Sequence, residues 1–163
     1  MPAVTADSDV LIHARSTLHA IDGRATDVNG TVDVDITDGE VRGLRSGRVE
    51  VPVASLRSGN PLEDAELQRR VDARRFPTIV GEVRSAAAID DEGRFGIEGD
   101  LTFHGVTQPV TGQLRIRHDG DRLRVEGEQV FDVRDFGIKP PRILMLRVEA
   151  DVRVEINLVA QPG

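Results

Sequence analysis

The side chains in this sequence with the means to do chemistry are four histidines, a few paired carboxylates, scattered serines and one run of arginines. His13, Arg15, Thr17 and His19 share one face of an extended segment. A rise of about 3.3 Å per residue sets the two histidines about 20 Å apart, too far to share one metal ion. A metal site would need His104 or a carboxylate brought alongside by folding. His104 lies in Phe103-His104-Gly105, a hairpin-turn signal, and its ring is expected to brace that turn. There is no cysteine, and so no thiolate metal site, disulfide or cysteine nucleophile. No metal and no cofactor are expected. The pairs Glu63/Asp64 and Asp90/Asp91 fall at a helix start and a turn, where carboxylates cap and solvate. An acid–base pair needs environments that drive two titrations apart, and nothing local supplies them. Ser16, Ser46, Ser55, Ser58 and Ser85 sit in no nucleophile elbow. The glycine-rich stretches read as hairpin turns rather than phosphate loops. No catalytic residue is assigned. Arg69, Arg70, Arg74 and Arg75 close a helix and complement its dipole. Arg74 and Arg75 also suit the rim of a site that grips an anionic head group, such as a pyrophosphate, by forked hydrogen bonds.

The elements that would position these groups are strands. Leu146, Val148, Ala150, Val152, Val154, Ile156 and Leu158 alternate with Arg147, Glu149, Asp151, Arg153, Glu155 and Asn157, the pattern of a half-buried antiparallel strand. The alternation recurs in Val32, Val34 and Ile36, in Val49, Val51 and Val53, and in Ile97, Leu101 and Phe103. It appears again in Leu114 and Ile116, and in Leu123, Val125 and Phe131. Turn signals separate the runs: Asp38-Gly39, Asp91-Glu92-Gly93, His104-Gly105 and Asp119-Gly120. About eight such strands, each with one apolar face, make an all-β closed barrel or sandwich. One segment departs from the pattern. Asn60 is an N-cap, Pro61 takes the first helical position and Glu63 follows at N3, opening a helix over roughly 61–72 with Leu62, Leu67 and Val71 as its apolar stripe. Pro77 bars its continuation. The helix is expected across one end of the barrel.

The chain's 163 residues suit one domain over 1–163, long enough to bury a core without staples. A net charge of −7 disfavours nucleic acid, whose partners bring basic patches. Tyr and Trp are absent, which removes the usual stacking platforms for bases and sugars. No apolar run is long enough to span a membrane as a helix. The first residues carry Asp7 and Asp9 and no apolar stretch, so a cytoplasmic location is expected. A homodimer is compatible with the sequence.

Three segments carry a family resemblance. They are Phe76-Pro77-Thr78-Ile79 after the helix, the stretch Gly99-Asp100-Leu101-Thr102-Phe103-His104-Gly105-Val106-Thr107-Gln108-Pro109-Val110, and Asp135-Phe136-Gly137-Ile138. Together with Ser55-Leu56, Ser58-Gly59, Asp64 and Leu67 they resemble the YceI-like family of bacterial proteins, from about Ser8 to Leu158. The resemblance implies an antiparallel lipocalin-like barrel of about eight strands with one inserted helix. It also implies a protein that binds a polyisoprenoid or similar long lipid inside the barrel, without an enzymatic activity.

The inward faces agree with an apolar, chain-like ligand, an isoprenoid or fatty-acid derivative. They carry Val, Ile, Leu, Ala and Gly with few polar groups. A buried methylene is worth about 0.8 kcal/mol, so a long chain can be held without polar contacts. Ile97, Leu101, Phe103, Leu114, Ile116, Phe131, Leu146 and Val148 from strands, with Phe76 and Phe136 from the family segments, are the candidate lining. Two other readings stay open. The barrel is filled by its own side chains and serves a structural or stress-related role, or it is an enzyme acting on an apolar substrate with His104 or His13 as base.

Overall fold

Alternating apolar and polar residues produce strands wherever a turn signal bounds them. The computed structural model describes residues 2–17, 20–139, 142–143 and 146–161, and of Arg142, Ile143 and Leu146 the backbone alone. In chain order the elements are β1 (Ala3–Val4), β2 (Asp9–Arg15), β3 (Ala20–Ala25), β4 (Asn29–Thr37), β5 (Glu40–Pro52), α1 (Pro61–Arg70), β6 (Thr78–Ala88), β7 (Arg94–Phe103), β8 (Val106–Asp119), β9 (Arg122–Asp132), β10 (Arg142–Ile143), β11 (Leu146–Arg147) and β12 (Asp151–Gln161). From β4 to β9 every strand pairs antiparallel with the next, except that α1 stands between β5 and β6. β12 then pairs along β9 from Asp151 to Ala160.

Eight strands close into a ring because β1 bridges its two ends. Ala3 faces Thr31 of β4 on one side and Gln161 of β12 on the other. Closure leaves no free edge around the ring. The chain then breaks between β1 and β2, and the buried Ser8 supplies the ladder contacts there: its Oγ accepts from the Val159 N–H at 2.9 Å and donates to the Val159 carbonyl at 3.3 Å. β2 rejoins β12 further along, Asp9 facing Asn157 and His13 facing Arg153. The β2–β3 hairpin therefore leaves the ring as a flap, tied back by a two-way backbone bridge between Arg24 and Arg57. Register shifts between Asp33 and Ile36 and between Val83 and Ser85 bend the long strands, as closure requires.

Four expectations are corrected. The run from Leu146 to Leu158 is not one strand. Arg147 and Glu149 bond the end of β2, while Ala150 accepts from Val133, so the backbone changes partners and bends before β12 begins at Asp151. Val53 alternates with Val51 but lies in a tight 3₁₀ turn, Val53–Ser55, because Pro52 ends β5. The helix ends at Arg70 rather than 72, Val71 closes it, and Asp72 turns left-handed at φ 52°. Its inward stripe is also different from the expected one. Leu62 is 64% exposed, and Glu63, Leu67 and Val71, spaced four apart, face inward. Asn60 caps as expected, its side chain accepting from Leu62 and Glu63.

Candidate ligand-binding lumen

A side chain alternating inward on a closed sheet can point only into the lumen, so the size of these residues decides whether the lumen is full. Five consecutive strands, β5 to β9, each place a glycine on the inner wall: Gly47, Gly81, Gly99, Gly112 and Gly127. The wall there is bare backbone. A Cβ added to Gly81 would meet no atom within 4 Å, whereas one at Gly99 would clash with the Glu82 carbonyl and one at Gly127 would fall 2.5 Å from the Leu114 side chain. Behind these glycines lies a cavity of about 220 Å³, with Val49, Ile97, Leu101, Leu114 and Ile116 among its walls. A second cavity of about 200 Å³ lies under α1 and is lined by Val53, Leu67, Val71, Phe103, Phe136 and Val148 among others. Val10, Val51, Ile79, Phe131 and Val154 border both and form the waist between the two spaces. Together they fall within the roughly 300–1,000 Å³ typical of ligand pockets. The barrel is hollow, which answers against the reading of a filled one.

The structure distributes the residues of the expected lining between the two cavities and the outside of the barrel. Ile97, Leu101, Leu114 and Ile116 line the first cavity, Phe103, Phe136 and Val148 the second, and Phe131 the waist. Phe136 lies 6.0 Å from Phe103 and 6.4 Å from Phe131, ring centre to ring centre, and the three floor the second cavity. The Leu146 side chain and His19 lie outside the described residues. Phe76 lines neither cavity. It packs on the hairpin turn, its ring edge-on to His104 at 5.0 Å and so close to Gly105 that a Cβ there would fall 2.5 Å from it. Arg74 and Arg75 are exposed and also line neither cavity; Arg75 stacks over Phe76 at 5.1 Å. The arginines at the helix end of the lumen are instead Arg57 and Arg70.

His104 and His13 are committed to structure. His104 Nδ1 donates to the Phe136 carbonyl at 3.0 Å, tying the β7–β8 turn to the floor of the second cavity. His104 and Gly105 both have positive φ, 55° and 73°, the backbone of a two-residue hairpin turn. His13 points away from the lumen, since its neighbours Ile12 and Ala14 line it. Its Nδ1 lies 2.7 Å from Asp22 Oδ1 and its Nε2 3.4 Å from Glu155 Oε1. Neither histidine borders a cavity. Among the described residues no group of three or more His, Asp or Glu is placed to hold a metal ion, and no helix is long and apolar enough to cross a membrane.

Polar groups concentrate at the helix end of the lumen. Ser58, Glu63 and Asp64 line the second cavity there, and Glu63 is only 8% exposed. Hydrogen bonds from Arg69 and Arg70 hold the neighbouring Glu66 carboxyl below its ordinary titration range, and the Arg134 guanidinium does the same to Asp132 beyond β9. Sequence reasoning placed Glu63 as a cap because N3 glutamates usually cap. The Asn60 N–H bonds Ser58 Oγ instead, which frees the Glu63 side chain to turn inward. The four-residue spacing of Glu63, Leu67 and Val71 was the available signal; the apolar pattern passed over it in favour of Leu62.

The sequence from residue 3 to 160 matches the model of the YceI-like domain. The chain belongs to the YceI-like family. Solved structures agree on the fold. The Burkholderia cenocepacia protein BcnA superposes with a TM-score of 0.83 at 18% identity, covering 97% of this chain and 99% of that one. A polyisoprenoid-binding domain from Saccharophagus degradans, described as implicated in plant cell wall breakdown, gives 0.78 at 12% identity over 99% and 98%. By sequence, a UPF0312 protein of Pseudomonas fluorescens is 30% identical over 83% of this chain and 72% of its own length. Another from Pseudomonas putida GB-1 is 30% identical over 66% of this chain, and the match spans 59% of that protein.

Proposed function

We propose that this protein binds a long apolar lipid, of the polyisoprenoid or fatty-acyl type, inside its barrel and carries or senses it without chemical change. The observation that carries this reading is the hollow lumen: two adjoining apolar cavities that share five lining side chains, with bare glycine backbone along one wall. Burying a chain there removes many methylenes from water at about 0.8 kcal/mol each. A polar solute would find little to replace its hydration. The family and its polyisoprenoid-binding relative support the same ligand class. The two histidines that sequence reasoning offered as bases are turned to other partners, which favours binding over catalysis.

The test is extraction of protein purified from its own host, followed by mass spectrometry, with a Phe103→Arg variant alongside. Phe103 lines the second cavity, where an introduced guanidinium has open space. A hollow site tolerates such a charge better than a packed core does. The expected result is a lipid of stoichiometric amount on the wild type and a folded variant that has lost it. A wild type that neither carries nor takes up any lipid refutes the reading.

A further inference from the structure

One polar side chain turns into the first cavity without a partner. Gln129 lies on β9 two residues from Gly127 and two from Phe131, and it faces Val154 across the β9–β12 ladder, so it shares their lumen face. The other polar residues around that cavity look outward: Glu82, Asp100 and Glu128 give their carboxylates to Arg48, Arg84 and Arg153, and Gln113 is exposed. The Gln129 carboxamide reaches over the bare backbone of Gly112, where an added Cβ would fall 3.0 Å from its Oε1. It is half-buried and makes no hydrogen bond to any described residue. A carboxamide carries two N–H donors and a carbonyl acceptor, which an apolar wall cannot satisfy.

The wall beside Gln129 is closed but not laddered along its whole length. β8 and β9 form six pairs, from Asp119 and Arg122 beside their turn to Leu114 and Gly127. Beyond these the two strands run on, to Val106 and to Asp132, without pairing to each other. Gln108 Nε2 donates to the Asp135 carbonyl at 2.7 Å and bounds the far end. Between the two ties lies a window, with Val110 and Gly112 on one side and Gln129 and Phe131 on the other, all four lining the first cavity. The facing backbone edges have no ladder partner there, so hydrogen-bonding groups frame an opening into an apolar space.

We propose that the window between β8 and β9 seats a neutral oxygen group of the ligand, an alcohol at the end of an apolar chain, and that Gln129 is the residue that holds it. This rests on the lipid-binding reading and narrows its ligand class. A hydroxyl accepts from the Gln129 N–H and donates to its carbonyl, so each group completes the other. The chain behind the hydroxyl lies in the first cavity, along the glycine backbone and toward the waist. A wholly apolar chain fills the same space and leaves the carboxamide unmet.

The experiment offers the full chain an equimolar mixture of phytanol and phytane, one saturated isoprenoid skeleton with and without a terminal hydroxyl. Protein-bound lipid is separated by gel filtration and quantified by gas chromatography, for the wild type and for Gln129→Leu. The leucine keeps the bulk and removes the hydrogen bonds, and the ratio of the two lipids cancels any change in overall affinity. The ratio of phytanol to phytane is expected to fall about threefold to tenfold in Gln129→Leu. An unchanged ratio in the folded variant overturns the Gln129 assignment and leaves the carrier standing. Uptake of neither lipid by the wild type overturns both. A second measurement needs no variant: the side-chain N–H resonances of Gln129 in isotope-labelled wild type are expected to shift with phytanol and much less with phytane. Equal shifts with both, or none while lipid is bound, overturn the assignment even where Gln129→Leu does not fold.

Discussion

Gly81 offers a substitution whose effects on stability and on binding have opposite signs. It stands mid-strand in β6 between Val49 and Leu101, facing the first cavity, with no atom within 4 Å of an added Cβ. A leucine there gains about 1.5–3 kcal/mol by burial and removes a strand-glycine penalty of about 0.5–1 kcal/mol, against about 0.5–1 kcal/mol of lost side-chain freedom. A cavity wall contacts the new side chain on part of its surface, so the lower half of that range, about 1–2 kcal/mol of net stabilisation, is the expectation. For a chain of this size that is a rise in melting temperature of about 2–8 °C. Uptake of an isoprenoid alcohol should fall at the same time, in the order Gly81→Ala, Gly81→Val, Gly81→Leu, as the space is progressively occupied. The assays are thermal unfolding of the ligand-free protein and native mass spectrometry of uptake. A leucine variant that melts lower than the wild type and binds as well would show that Gly81 does not face open space, and the hollow first cavity would fall with it.

Three further outcomes test the frame around the lumen. Gly105→Ala should destabilise by about 2 kcal/mol, read from the urea midpoint, because it combines a left-handed backbone with a methyl 2.5 Å from the Phe76 ring. Asn60→Ala should cost about 1 kcal/mol by the same measurement, since two N–H groups of the helix start lose their acceptor. Glu66 ionises at lower pH folded than unfolded because Arg69 and Arg70 bond its charged form. Its contribution is therefore complete above the unfolded carboxyl's range, about pH 4.3, and is lost as pH falls through the lower folded value. Glu66→Gln should accordingly show a shallower loss of melting temperature between about pH 5 and pH 3 than the wild type.

How much was legible in the sequence can be judged from particular residues. Val32, Ile97, Leu114 and Phe131 announced their strands because a side chain in a pleated sheet has a period of two whatever the strand pairs with. Asn60 and Pro61 announced the helix start because capping is settled within one turn. The turn at His104-Gly105 was equally local, and so was the placement of most lumen residues, since inward-facing positions follow from parity once the sheet is known to close.

Contacts between distant segments decided the rest. The continuous alternation from Leu146 to Leu158 hid a break that exists because β2 and Val133 compete for consecutive backbone groups. Phe76 and Arg75 read as lumen and rim, yet the return of the chain from α1 sets them on the outside of the β7–β8 turn. Alternation is the same for a filled barrel and a hollow one, and only the way distant strands pack leaves the two cavities and the open space at Gly81. Glu63 illustrates the limit most directly. As an N3 residue it has a local partner in principle, but Ser58 takes that partner and the docking of α1 over the lumen turns the carboxylate inward. The sequence by itself determined the strands, the helix and the apolar character of the interior, because those depend on period and on neighbouring residues. The space inside, and the charge at its end, were decided by the tertiary structure, because each depends on how residues far apart in the chain meet across the barrel.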